Sequence, residues 1–381
     1  MTRRVRPEDR RSVGTLAFIH GLVHGTILSL PVFLALAWNR EFRLDAAGAG
    51  GLAAIAYVGF GAASVPFGRL ADRGGETNVL ALCVAGIAAS AAAVSLSRTL
   101  PELAVSLAAL GIAAGAYHPT ALAFISRHVQ EQGRGMGWHG MGGSLGIALE
   151  PAAVAGLLAL GLPWREVAAA MAVPAILAFA VLAVRPAPVW GSAALPGIRA
   201  TLRSVATVPF ALVLLVYVFA GVAYWGSLTF LPGIVGAGSY ALLLALGAAG
   251  QVLSGHLSER PHPHRTLFAM SLAAAAVLAS LATGVPWILA AGAWGFGFLL
   301  FSLEPLQNTL VTGSVPREVR GFAFGMTFLG VFGLGSIGAV MAGAMLAANL
   351  PAALFLLLAG SLGMSGVCAL ASEKSRRGGG S

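Results

Sequence analysis

Six ionisable side chains stand inside long apolar stretches of the sequence, and their types suit the binding of protons, ions or polar ligands. They are His20, His24, His118, His139, Glu150 and Glu304. An ionisable group in an apolar environment costs free energy, so each one is by default a candidate functional residue. We therefore predict that the functional site lies among these six residues.

His20 and His24 are four residues apart and would lie on the same face of a helix. Three kinds of chemistry fit this pair: binding of an anion by two cationic rings, ligation of a transition metal by neutral rings, or hydrogen bonding to another helix. In the metal alternative, His118 and Glu304 would be further ligands. His139 is predicted to be interfacial and not a ligand.

Glu150 precedes a proline in a glycine-rich stretch. Its carboxyl group is predicted either to be a second proton site or to cap, by hydrogen bonding, the backbone groups that Pro151 leaves without a partner. Tight packing of this stretch against another helix is predicted from Gly142, Gly143, Gly146 and Gly156.

Helices must position these residues, because the composition is that of a membrane protein. Of 381 residues, 57% are hydrophobic and only 10% are charged. A bilayer core about 30 Å thick requires roughly 20 apolar residues per helix. The apolar runs predict an all-α integral membrane protein with twelve transmembrane helices, over residues 13–38, 46–67, 78–97, 101–126, 136–161, 165–184, 207–232, 238–257, 266–283, 286–313, 321–348 and 351–371.

The net charge of +9 could indicate a nucleic-acid partner, but the basic residues lie between apolar runs and not in one patch, so no nucleic acid is expected. If the N-terminus is cytoplasmic, the 23 lysines and arginines fall on the cytoplasmic side except for Arg40, Arg43, Arg98 and Arg165. This bias predicts a multi-pass protein of a bacterial-type inner membrane with both termini in the cytoplasm.

The chain repeats itself at about half its length. Gly68 to Arg73 recurs as Gly255 to Arg260, and His118-Pro119 recurs at nearly the same spacing as Glu304-Pro305. Two pseudo-symmetric six-helix bundles are therefore predicted. The predicted divisions are an N-terminal tail (1–12), a first bundle (13–184), a cytoplasmic linker (185–206), a second bundle (207–371) and a C-terminal tail (372–381) ending in what resembles an added linker.

The repeat puts His118 and Glu304 at equivalent positions, where they could face each other as a histidine–carboxylate pair. The charge of each group would then depend on the other, and the pair would titrate as a unit. Such a pair would be a proton-binding device or, alternatively, a structural hydrogen bond between the bundles.

Residues 68–74 read G-R-L-A-D-R-G in the predicted loop between the second and third helices. Gly68 permits close helix approach, and Asp72 can receive the N-terminal dipole of a neighbouring helix or an arginine, which would latch one conformation. The predicted latch also includes Arg73 and the repeat copy, Gly255, Glu259 and Arg260. The loop is similar to the signature loop of the major facilitator superfamily, which implies a secondary transporter.

Three further segments resemble the fosmidomycin-resistance branch of that superfamily: His20 to His24 followed by Pro31, Gly115 to Pro119, and Gly142 to Gly146 followed by Glu150-Pro151. Members of this branch are proton-coupled efflux antiporters, and helices 1, 4, 7 and 10 line the central cavity in the superfamily. The chain departs from the branch at His24, where aspartate is usual, at Thr120, where glutamate is usual, and at Glu150, where glycine is usual. The substrate of the branch therefore does not carry over.

The resemblance implies alternating access, with proton-coupled export of a small organic compound as in drug resistance by efflux. Substrate or proton coupling is expected at His20, His24, His118, Glu304 and Glu150, and a cavity wall is expected at Trp225, Tyr224, Gln307 and Asn308.

Two alternatives remain open. One is a divalent transition-metal transporter that uses His20, His24, His118 and Glu304, and the other, of a different class, is a non-transporting membrane receptor. The sequence has no nucleophile–base arrangement, phosphate loop or HExxH motif, so neither an enzyme nor a cofactor is predicted. The expected partners are the substrate, protons and the lipid bilayer, and a monomer is expected.

Overall fold

The structure is a computed structural model that describes residues 7–73, 76–129, 132–184, 197–258 and 261–378. Within these ranges the regular secondary structure is helical and no strand occurs. Twelve of the helical segments are long and apolar enough to cross a membrane. The predicted all-α membrane fold is confirmed.

The twelve membrane helices divide into two successive sets of six. The N-terminal half contains α1 (Arg10–Glu41), α2 (Ala46–Asp72), α3 (Glu76–Leu96), α4 (Leu100–Ile125), α5 (Gly135–Ala159) and α6 (Trp164–Val184). The C-terminal half contains α7 (Val208–Val235), α8 (Ala237–Gly255), α9 (Pro263–Thr283), α10 (Pro286–Thr312), α11 (Arg317–Ala347) and α12 (Pro351–Arg376). Each helix lies close to its predicted span, because charged residues, glycine or proline bound the apolar runs.

Regular structure extends beyond the predicted bundle boundaries. The first helix already begins at Pro7, and the last helix runs to Gly378. The predicted linker contains a short helix, Ile198–Val205, in which Thr201 accepts a hydrogen bond of 3.0 Å from Arg69 of α2. The described part of the linker is therefore attached to the N-terminal half, and residues 185–196 lie outside the described ranges.

Helices α1 and α5 approach closely because glycines lie at their contact. A Cβ atom at Gly142 would meet the backbone of Ala17, and a Cβ atom at Gly146 would meet the backbone of Gly21. Lipid provides no hydrophobic driving force between helices, so close van der Waals contact between backbones stabilises the pair. The predicted tight packing of this stretch is present, except at Gly156, where a Cβ atom would meet open space.

We expect Gly146→Leu to destabilise the protein strongly, whereas Gly156→Leu should have little effect. Ordinary overpacking costs about 1–3 kcal/mol, and here the obstacle is backbone that has no rotamer to change. The melting temperature of the detergent-purified protein would measure the difference. Equal melting temperatures for the two variants would show that α1 and α5 are not packed through Gly146.

The two halves meet along α2 with α11 and along α5 with α8. At Gly50, Gly61 and Gly68 of α2, an added Cβ atom would in each case meet backbone atoms of α11. These glycines span nearly the whole length of α2. The halves are therefore packed together at both ends of this helix pair.

Helices α1 and α11 each contain a π-helical turn, at Leu34–Trp38 and at Leu329–Leu334. A π turn interrupts the regular hydrogen-bond pattern of an α-helix and often occurs at functional sites. Trp225 of α7 donates from Nε1 to the carbonyl oxygen of Val331, inside the second of these turns, at 2.9 Å. An aromatic side chain of α7 thus holds the irregular part of α11.

Candidate functional site

Three histidines from α1 and α4 form a compact cluster within the N-terminal half. One ring nitrogen from each of His20, His24 and His118 lies within 4.8 Å of those of the other two. All three side chains are buried, at 1%, 6% and 1% exposure. Their Nε2 atoms have no hydrogen-bond partner among the described residues. Three of the residues that the sequence singled out are therefore brought together.

A break in α4 positions His118. Pro119 lacks an N–H group, so the carbonyl of Gly115 loses its helical donor, and Ser64 of α2 donates to that carbonyl at 3.0 Å. The helix resumes at Tyr117. The ring of His118 then stacks on Phe328 of α11, with centroids 4.4 Å apart, and so contacts the other half.

His139, which the sequence predicts to be interfacial and not a ligand, is buried beside the cluster. Its ring is 4% exposed and stacks on the ring of His20 with centroids 3.9 Å apart. The carbonyl oxygen of His139 lies 2.7 Å from Nδ1 of His20. A carbonyl can only accept, so Nδ1 of His20 donates, and in the neutral ring Nε2 carries the lone pair. The close approach of α1 to α5 accounts for the burial of this ring.

A cavity of about 50 Å³ lies between the two halves. Five of the predicted residues line it, namely His24, Glu304, Trp225, Tyr224 and Gln307, whereas His20 and His118 do not. The remaining wall is aromatic and aliphatic, with a single further hydroxyl group, and consists of Tyr217, Ala220, Leu300, Phe301, Leu303, Phe328, Val331 and Phe332. Such an arrangement of a few polar groups on an apolar wall is typical of sites for small organic molecules.

Glu304 lies on this wall and does not form the predicted pair with His118. Its carboxylate accepts a hydrogen bond of 2.7 Å from Nε2 of Gln251. Among the described residues, no hydrogen bond or ion pair joins it to His118, and it is not a member of the histidine group. Internal symmetry indicates that two residues occupy equivalent levels, but it does not determine how their helices are rotated.

Gln251 connects Glu304 to the other half. Its Oε1 atom accepts a hydrogen bond of 2.7 Å from the hydroxyl of Ser144, so a polar chain runs from α5 through α8 to α10. Ser144 and Gln251 are both buried. A search for ionisable residues overlooks them, although an amide inside the apolar run of α8 is a signal that could have identified Gln251.

Aromatic rings from both halves pack together beside the cavity. Tyr57 of α2 stacks on Trp225 with centroids 3.8 Å apart, and Phe60 of α2 stacks on Phe332 of α11 with centroids 3.7 Å apart. Aromatic pairs contribute about 0.5–1.5 kcal/mol each beyond the area that they bury. These contacts help to hold the two halves together beside the cavity.

Gln307 offers an available hydrogen-bond donor to the cavity. Its side chain is 6% exposed, and its Nε2 atom has no partner among the described residues. A buried donor without a partner is costly, so a ligand with an acceptor would relieve that cost. Asn308, by contrast, is not a lining residue, and its Oδ1 atom accepts from the hydroxyl of Tyr217 at 2.9 Å.

Glu150 faces a different space. Its Oε1 atom accepts a hydrogen bond of 3.0 Å from Thr26, and its side chain packs against Gly25. It lines a groove of about 600 Å³ formed by α1, α5 and α6, apart from the central cavity. Its role as a second proton site stays a prediction.

Asp72 connects the two halves at the end of α2. Its carboxylate accepts from the backbone N–H groups of Gly321 at 3.1 Å and Phe322 at 2.9 Å, at the start of the α-helical part of α11. It also forms an ion pair with Arg127, just beyond α4. The helix N-terminus and the arginine that the sequence suggested as alternative partners are thus both present.

The other residues of the predicted latch make fewer contacts. Arg73 is exposed, and a Cβ atom added at Gly255 would meet nothing within 4 Å. Glu259 and Arg260 lie outside the described residues. Arg127 therefore takes the place that the sequence had given to Arg73.

A family model of the Major Facilitator Superfamily matches residues 15–340, which is most of the chain. The chain belongs to the major facilitator superfamily. The resemblance of the signature loop is confirmed at this level, and membership indicates a membrane transporter and not an enzyme. A search of curated proteins found no match to this sequence.

Solved transporters share the fold of this superfamily member. The human organic anion transporter MFSD10 (TETRAN) is 18% identical, with 96% of this chain and 100% of that chain covered and a TM-score of 0.73. The E. coli fucose:proton symporter FucP is 13% identical, with 94% and 98% covered and a TM-score of 0.73. A bacterial homolog of the human lysosomal transporter Spinster is 18% identical, with 98% and 97% covered and a TM-score of 0.67. At these identities the similarity concerns the fold alone.

Proposed function

We propose that this major facilitator superfamily protein is a secondary active transporter that exports a small amphiphilic organic compound carrying a basic group, in exchange for protons. The observation that carries the proposal is Glu304, the one carboxyl group among the described residues on the mainly aromatic and aliphatic wall of the cavity between the two halves. Aromatic faces and one carboxylate together favour an organic cation, through cation–π attraction and charge pairing.

Proton coupling follows from the same residue. An ionised carboxylate in this cavity requires a counter-charge, which either a proton or a cationic compound can supply. If the two compete for Glu304, the loaded transporter carries one or the other across, which is the condition for antiport. Gln251, Tyr217, Tyr224, His24 and Gln307 are the polar groups around that exchange.

Alternating access is supported by the contacts between the halves. The cavity of about 50 Å³ is far smaller than the roughly 300–1,000 Å³ of typical ligand pockets, so loading requires the halves to separate. Two kinds of contact would have to break, namely the Asp72 contacts with α11 and the aromatic pairs beside Trp225. We propose that these are the gates of the cycle.

The direction of transport and the cellular setting rest on the sequence. Resemblance to the fosmidomycin-resistance branch favours proton-coupled efflux, and the distribution of basic residues favours cytoplasmic termini in a bacterial-type inner membrane. A monomer is proposed as the working unit. The structural neighbours are described as an organic anion transporter and a sugar:proton symporter, so they agree on transport but not on cargo.

The metal-carrier alternative required Glu304 to join the three histidines as a ligand, and Glu304 is not a member of their group. We therefore favour an organic cargo. The receptor alternative differs in its prediction of binding without flux.

The proposal can be tested in liposomes that contain the purified protein and a pH-sensitive dye. With a panel of lipophilic cations, weak bases and neutral analogues of matched size, we expect cations and bases to drive proton movement opposite to their own. Neutral analogues should move no protons. Binding without any flux would support a receptor, and proton movement with neutral or anionic compounds alone would exclude the proposed role of Glu304.

A further inference from the structure

We propose that His20, His24 and His118 form a binding site for a divalent transition-metal ion of the Zn²⁺ type. Three buried imidazoles converge with one nitrogen each inside 4.8 Å, and the Nε2 atoms have no partner among the described residues. Buried polar atoms are normally hydrogen-bonded, so three buried Nε2 atoms without a described partner in one cluster of histidines indicate a missing ligand. Neutral imidazole is a preferred ligand of Zn²⁺, Cu²⁺, Ni²⁺ and Co²⁺.

The surroundings hold the rings in a metal-ligating state. The bond from Nδ1 of His20 to the carbonyl of His139 leaves the Nε2 lone pair free, as in metal sites whose second ring nitrogen donates to a backbone carbonyl. Stacking on His139 fixes the plane of His20, and stacking on Phe328 fixes that of His118. A Cβ atom at Gly143 would meet the His20 ring, so glycine is needed there.

The distances require a small contraction. Bonds of about 2.0–2.1 Å in a tetrahedral zinc site separate the ligand nitrogens by about 3.4 Å. The three ligand nitrogens now lie within 4.8 Å of one another, so each separation has to decrease by about 1.4 Å at most. Side-chain rotation of His24, which lies at the edge of the cavity, can supply much of this movement.

The site adjoins the proposed cargo site, with which it shares His24, but the metal-binding inference does not depend on the proposed function. All three ligands come from α1 and α4 of one half, so the ion would remain with that half when the halves move. His24 also lines the cavity, so the ion would lie beside the cavity wall. Because the ion adds positive charge at the cavity wall, it should weaken binding of a cationic compound.

The test is a Co²⁺ titration of metal-free protein that was purified with a tag lacking histidine. We expect one tight site per chain with the visible absorption bands of a low-coordinate cobalt centre, displaced by one equivalent of Zn²⁺. His20→Ala and His118→Ala should each weaken binding at least about 100-fold. X-ray absorption of the zinc form should give three histidine nitrogens near 2.0 Å.

Controls separate this site from others. The double variant His262→Ala/His264→Ala, at the start of α9 and outside the cluster, should keep the tight site, and so should Glu304→Gln. Melting temperatures of the metal-free variants establish that each is folded. Binding that survives loss of the cluster in folded protein, or that disappears with the α9 variant, would overturn the proposal. Loss with Glu304→Gln would instead favour the metal-carrier ligand set.

Discussion

We expect the Glu304→Gln substitution to lower proton-coupled flux of a basic organic compound by at least about 100-fold. Removing one partner of a buried charge pair costs about 3–5 kcal/mol, and each 1.4 kcal/mol corresponds to a factor of ten. Glutamine keeps the shape of the side chain, and it can still accept a hydrogen bond from Gln251. The loss would therefore reflect the charge and the proton. Flux measured in liposomes under an imposed pH gradient gives the result directly.

A carboxylate outside the cavity provides the matched control. Glu166 is exposed at the start of α6, and Glu166→Gln should transport normally. Binding of a neutral analogue to Glu304→Gln should also be retained, because the aromatic wall is unchanged. Normal proton-coupled flux in Glu304→Gln would show that another group carries the proton, and Glu150→Gln would then be the next variant to measure.

Gly68→Leu is expected to open the protein at the Asp72 end. An added side chain would meet the backbone carbonyl of Gly321, which cannot move without separating α2 from α11. Overpacking of about 1–3 kcal/mol would change the ratio of open to closed molecules by roughly 5- to 100-fold. Spin labels at Arg73 and Glu318, both exposed on either side of the contact, would report a longer distance.

The matched control lies on the same helix. A Cβ atom at Gly51 would meet nothing within 4 Å, so Gly51→Leu should leave the distance distribution unchanged. We also expect Gly68→Leu to reduce transport, because a molecule biased towards one state completes fewer cycles. An unchanged distance in folded Gly68→Leu protein would contradict the assignment of this contact as a gate.

The sequence was sufficient for the fold because the bilayer imposes a simple requirement. Long apolar runs bounded by charges locate the helices, and Asp72 within a G-R-L-A-D-R-G loop indicates a contact with a helix N-terminus or an arginine. The positions of the helices and the contact of Asp72 can both be predicted because they depend on residues that are close together in the chain. The i,i+4 spacing of His20 and His24 likewise indicates a shared face without knowledge of any other helix.

The rest of the site depends on how helices are rotated and how closely they approach, which a single sequence does not specify. His118 and Glu304 are equivalent in the repeat, yet one stacks on Phe328 and the other bonds to Gln251. His139 stacks on His20 beside the cluster because glycines let α1 approach α5 to backbone contact. Such approach distances follow from pairs of residues distant in sequence, so periodicity and composition do not reveal them.

The amide of Gln251 gives the polar chain a direction that depends on the charge of its neighbour. With Glu304 ionised, the amide donates to it and accepts from Ser144. A protonated Glu304 gains an O–H donor and keeps an acceptor oxygen, so it is compatible with this amide orientation and also with the reverse one, in which the amide offers its N–H group to the serine oxygen. Only the ionised acid therefore restricts the amide to the orientation seen here, because a carboxylate can only accept.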